Sequence, residues 1–194
     1  MKELYVQLWQ QAKSFYKKGR PMDIAHIEWM MDEAIDVCDQ EKLDDTVLLP
    51  LVILHDVGYA KVDANNPFNL DIRKQHMIEG EKITRQLLEN VQYPQEKITV
   101  ISYYVSVHDN WALGDTGIYK NNHLLGTFTD LDFTWMASPK GFRALMNILH
   151  KNYQEMLNYL QDRDQPAKGV PFTSPIVEKL FWTLLQDREK ELQP

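Results

Sequence analysis

Apolar residues recur at three- and four-residue spacing along almost the whole chain, with few alternating runs, a pattern that predicts helices and no convincing strand. It places helices at about 2–18, 24–40, 44–57, 71–90, 95–109, 121–137, 141–161 and 174–192. Turn formers punctuate them. Gly19, Arg20 and Pro21 part the first two, VDANNPFN (62–69) reads as a loop, and Gly114 and Gly117 mark another. A loop with Pro166, Gly169 and Pro171 precedes Ser174 and Pro175, which read as N-cap and first helical residue. About eight helices over 194 residues predict an all-α fold, with 1–194 as a single domain.

Within this pattern, LPLVILHDVGYAK (49–61) stands out. Of the residues Leu48 to Leu54 all are apolar except Pro50, yet the run delivers His55 and Asp56 side by side. Leu48 and Val52 share a stripe with Asp56, and Leu51 lies four before His55, so both polar residues extend an inward face. The same spacing turns three more imidazoles inward. His26 aligns with Met30, Glu33 and Val37; His76 with Gly80, Ile83 and Leu87; His108 with Ile98, Ile101 and Val105. Asp130, in LLGTFTDLDF, follows Thr127 by three and faces inward as well.

A single histidine on an apolar face is ordinarily a core residue whose ring nitrogens bond to backbone or a carboxylate. Four buried imidazoles and two carboxylates without a shared partner make a costly core, because an unpaired buried carboxylate is strongly disfavoured. A divalent cation removes that cost, since it takes neutral imidazole nitrogens and ionised carboxylates directly.

Composition narrows the function classes. The net charge of −7 argues against binding a nucleic acid polymer but leaves room for a small anionic substrate. Cys38 is the only cysteine, which excludes an internal disulfide and a thiolate-rich zinc cluster. No apolar run is long enough for a bilayer span, and the start, MKELYVQLWQQAKSFYKKG, reads as an amphipathic helix; a cytoplasmic protein is the economical expectation.

His26, the His55–Asp56 pair and Asp130, in this order, give the sequence a resemblance to the HD-domain superfamily of metal-dependent phosphohydrolases. LLPLVILHDVGY looks like that family's signature helix, and TDLDF resembles its late aspartate segment. The resemblance covers about residues 22–135, flanked by helices in 1–20 and 141–192. QHMIEGEKITRQLL and VISYYVSVHDNW are similar to two further histidine segments found in many members, which often bind two metals. The resemblance implies that His26, His55, Asp56 and Asp130 hold a first metal, and that His76 and His108 hold a second with Asp56 shared. Asp132, two positions beyond Asp130, is the alternative late ligand, and the two point in different directions on a helix. Tyr59 stands where cyclic-dinucleotide phosphodiesterases of the HD-GYP group carry a lysine, which speaks against that subgroup.

The activity so implied is hydrolysis of a phosphate ester or anhydride, in a nucleotide or small phosphorylated metabolite, by hydroxide generated at one or two divalent ions. Sulfur-free N and O ligands suit Fe, Mn, Co, Ni, Zn or Mg. Asp56 is expected to hold the metals in register and orient the hydroxide, and Lys61 and Arg73 to bind phosphate. Glu33 and Asp71 are candidate partners for the imidazoles. A di-iron oxygenase of HD-type fold uses the same ligand pattern, and a non-catalytic HD module is the third alternative.

Overall fold

The computed structural model describes residues 2–63, 69–162 and 171–192. Among them there is no strand, and the fold is all-α. Among the described residues there are ten α-helices rather than about eight: α1 Glu3–Lys18, α2 Asp23–Glu41, α3 Asp45–Leu54, α4 Leu70–Asn90, α5 Gln95–Val107, α6 Gly117–Lys120, α7 His123–Thr134, α8 Pro139–Leu149, α9 Tyr153–Gln161 and α10 Pro175–Lys190. No helix among the described residues is long and apolar enough to cross a membrane. Parts of the expected loops 62–69 and 162–173, with Pro166 and Gly169, lie outside the described residues.

The extra helices have local causes. The single helix expected over 141–161 breaks because His150 takes a left-handed conformation (φ 53°) and closes α8, its N–H bonding back to the Met146 carbonyl. Asn152 then starts α9 with a reciprocal capping box, its side chain accepting from the Glu155 N–H and the Glu155 carboxylate accepting from its own. The four-residue α6 is the other addition.

The chain forms two compact units, Met1–Thr116 and Gly117–Pro194. The first contains α1 to α5. Its buried side chains include Leu8, Ile27, Met30, Leu48, Leu51 and Ile53. Pro50 sits inside α3, where it has no N–H to offer the carbonyl of Thr46 one turn back. The Tyr93 hydroxyl donates to that carbonyl instead, at 2.7 Å. α3 ends at Leu54, sooner than the expected residue 57, because Asp56 adopts φ −102°, ψ 6° and opens a tight 3₁₀ turn, Val57–Lys61.

Two glycines let other backbones press on that turn. A Cβ on Gly58 would fall 1.9 Å from the His76 carbonyl oxygen and 2.6 Å from the Gly80 nitrogen, so the turn lies directly on α4. A Cβ on Gly19, at the end of α1, would fall 2.6 Å from the Ala60 nitrogen. The residues that follow His55–Asp56 are thus seated between two helices.

The second unit holds α6 to α10 around Phe133, Phe142, Met156, Leu160, Phe181 and Leu185. Ser174 and Pro175 take the N-cap and first helical positions of α10 as the sequence predicts, and Ser138 and Pro139 do the same for α8.

Candidate metal centre

Three donor atoms in the first unit lie close enough to share one ion. Nε2 of His76, on α4, and Nε2 of His108, just past α5, are 3.2 Å apart, and each is 3.4 Å from Asp56 Oδ1. Two imidazole nitrogens and a carboxylate oxygen facing one another in this way need a proton or a cation between them. The point equidistant from the three atoms is about 1.9 Å from each, against a usual metal–nitrogen length of about 2.0–2.1 Å. The donor set, two imidazole nitrogens and one carboxylate oxygen, fits a divalent transition ion.

The tautomers suit this role. Nδ1 of His55 and of His108 each contact a backbone carbonyl one turn back, Val52 at 3.0 Å and Val105 at 2.8 Å. A carbonyl only accepts, so Nδ1 carries the hydrogen and Nε2 keeps its lone pair. These carbonyls, rather than Glu33 or the exposed Asp71, orient the rings. His76 is held differently. Its ring stacks on Tyr59 with centroids 4.1 Å apart and planes 9° apart, and the Arg20 guanidinium lies 4.3 Å from the same Tyr59 ring.

His26 and His55 extend the cluster. Their ring centroids are 5.6 Å apart, and His55 Nε2 is 3.5 Å from Asp56 Oδ2. Donor atoms of Asp23, His26 and Asp56 all lie within 4.8 Å of one another, so Asp56 belongs to two groups that can hold an ion. His26, His55, Asp56, His76 and His108 are all buried.

The cluster's electrostatics follow from burial and proximity. Burial alone would raise the Asp56 carboxyl, but His55, His108 and His76 override it and hold Asp56 well below the usual carboxylate range. His76 is lowered, by burial first and by the facing His108. Burial opposes protonation of His108 too, but Asp56 and Asp109 outweigh it and raise that group. Of the facing pair, His108 therefore takes the proton when no cation is present.

Two acids of this region escaped the reading of the sequence. Asp23 is buried on α2 with Oδ1 3.0 Å from Arg20 Nη2, and burial pushes its carboxyl up to about 6. Asp109, next to His108, is buried beside Arg73, with Oδ2 3.2 Å from Arg73 Nη1 and 4.0 Å from His76 Nε2. Their signals were present: Asp23 stands one helical turn before His26, and Asp109 repeats the His–Asp pairing of 55–56. Arg73 also lies over Trp111, 5.4 Å from its ring. Lys61 is exposed at the end of the 3₁₀ turn, and Tyr103 is exposed on α5.

In the second unit the two late aspartates differ in surroundings. Asp130 is fully buried, and its Oδ2 accepts the backbone N–H groups of Thr173 and Ser174, both at 2.7 Å. That oxygen joins α7 to the start of α10. Asp132 is half-buried. His123, the first residue of α7, is exposed, as is His150.

Comparison with protein-family models, curated proteins and solved structures finds no match.

Proposed function

We propose that this chain is a metal-dependent hydrolase of HD-domain type, acting on phosphate esters or anhydrides in a nucleotide or another small phosphorylated metabolite. The observation that supports this reading most is the placing of Asp56 Oδ1 with the Nε2 atoms of His76 and His108, while the same carboxylate also groups with His26. A shared carboxylate between two cation positions is the arrangement that suits phosphoryl hydrolysis. Cations bound there supply Lewis acidity toward phosphoryl oxygens and lower the pKa of water.

The chain's own residues do the rest. Asp56 stays ionised and belongs to both groups, so one carboxylate would tie the two positions together. The Nδ1–H bonds of His55 and His108 hold two rings so that no reorganisation is needed when a cation is taken up. Arg73, held by Asp109 beside His76, supplies positive charge for a phosphate, and Lys61 adds a solvent-facing one. The charge of the whole chain is −7, so a small phosphorylated molecule is attracted locally, by these cations, and not by a long-range field.

The test is metal analysis of protein purified without added metal, alongside phosphate release from a panel of nucleotides and phosphorylated metabolites. His55→Ala and Asp56→Ala must each remove metal and activity together; phosphate release surviving both changes defeats the proposal. Oxygen uptake with iron and a reductant, in place of phosphate release, assigns the site to oxygenase chemistry instead.

A further inference from the structure

We propose that Asp23 is a cation ligand, and that with His26 and Asp56 it makes a second, oxygen-richer position beside the His76–His108–Asp56 one. The inference rests on the metal-centre reading above and adds to it a residue that the HD resemblance does not supply.

Three observations carry it. Asp23 is 2% exposed, and its Oδ2 has no hydrogen-bond partner among the described residues. A buried carboxylate oxygen left in that state is expensive, and a cation is the partner that meets the expense without a new donor. The carboxylate is also held in place: Oδ1 pairs with Arg20 Nη2 at 3.0 Å, and Arg20 is itself fixed against Tyr59. Such an outer partner orients a ligating carboxylate while leaving its other oxygen for the ion. Finally, the donor atoms of Asp23, His26 and Asp56 lie within 4.8 Å of one another, close enough for a single cation to gather all three.

The two positions then differ in chemistry. His76, His108 and Asp56 offer two nitrogens and one oxygen, a set that suits zinc, iron or cobalt. Asp23, His26 and Asp56 offer two carboxylate oxygens and one nitrogen, which shifts preference toward a harder ion such as Mn²⁺ or Mg²⁺. The centre is therefore an unequal pair, with the Asp23 position the weaker and more exchangeable for soft metals.

Titration of the metal-free chain with MnCl₂, followed by calorimetry and by the electron-resonance signal of coupled Mn²⁺ ions, tests this. Wild type is expected to take two ions per chain and to show the coupled signal. Asp23→Asn is expected to take one ion and lose the coupling, and Asp23→Glu to recover the second ion. Arg20→Met must keep two ions, at weaker affinity for one of them. Two coupled ions in Asp23→Asn overturn the inference and leave the metal-centre reading standing. Loss of the second ion in Arg20→Met to the same extent also overturns it, because Asp23 would then act only by holding Arg20. A wild-type chain that takes no ion ends both. Should Asp23→Asn fail to fold by circular dichroism, Asp23→Glu alone decides: two coupled ions support the inference, and one ion defeats it.

Discussion

Gly58→Ala gives the sharpest test of how the centre is built, because a single methyl group would act on both the turn and the ligands. The added Cβ would lie 1.9 Å from the His76 carbonyl oxygen and 2.8 Å from its carbonyl carbon. A tolerable carbon–oxygen approach is about 3.3 Å, so the turn and α4 must separate by about 1.4 Å. The contact atoms are backbone, and no side-chain rotation relieves it. Asp56 immediately precedes the turn and His76 carries the opposing carbonyl, so the separation acts on two proposed ligands of one ion. Taken fully along the line joining their donors, now 3.4 Å apart, it would carry them to about 4.8 Å. Ligands at about 2.1 Å from an ion can be no more than about 4.2 Å apart even when opposite one another. His76 would drop out of the set. The expected result is a loss of about 1–3 kcal/mol in stability from overpacking. In calorimetric titration with Zn²⁺, affinity is expected to weaken at least about 100-fold, beyond the usual cost of disturbing an outer partner. A variant that is destabilised yet binds Zn²⁺ as tightly as wild type would refute the claim that this turn sets the ligand geometry.

Three further outcomes follow from the same coordinates. Asp130→Ala removes the acceptor of two backbone N–H groups, each bond to a charged acceptor worth about 1.5–3 kcal/mol, so urea denaturation should show a loss of about 3–6 kcal/mol; unchanged stability with lost metal would instead make Asp130 a ligand. In chelator-treated protein, Asp23 holds its proton up to about pH 6 when folded but only to about 3.8 when unfolded, so its contribution to stability falls as pH rises between those values. The difference between wild type and Asp23→Asn should therefore decline by about 2 kcal/mol from pH 4 to pH 6 and level above about pH 7, and a rising difference counts against burial as the cause. Tyr59→Leu loses the stack on His76 and the Arg20 contact, together about 1–2 kcal/mol, whereas Tyr59→Phe should lose less than half as much; equal losses would deny the ring its role.

The helices and the inward histidines were legible because burial imposes a period on sequence. His55, Asp56, His76 and His108 each sit at the end of, or within, an apolar stripe, and the stripes alone turn them inward. The break at His150 was not legible, since a left-handed histidine leaves no trace in apolar spacing; only Asn152 and Glu155, the capping pair, mark it. The bond from Asp130 to the N–H groups of Thr173 and Ser174 joins residues more than forty positions apart, and no local pattern encodes it. Asp23 escaped for a different reason. It opens a helix, where an acidic residue is already explained by the helix dipole, so its burial could be seen only once the chain was folded.

The seating of the 3₁₀ turn between α1 and α4, by way of Gly19 and Gly58, has a consequence for how the proposed centre would handle ions in time. Where a cation nucleates its own binding loop, stripping it with a chelator unfolds the loop, and rebinding is a folding reaction. Here main-chain contacts from α1 and α4 already hold the turn after Asp56, so an ion leaving the proposed centre would leave the turn in place. On the proposed reading, reloading would then be a simple encounter between the chain and a free ion, and one metal could replace another without the helices coming apart.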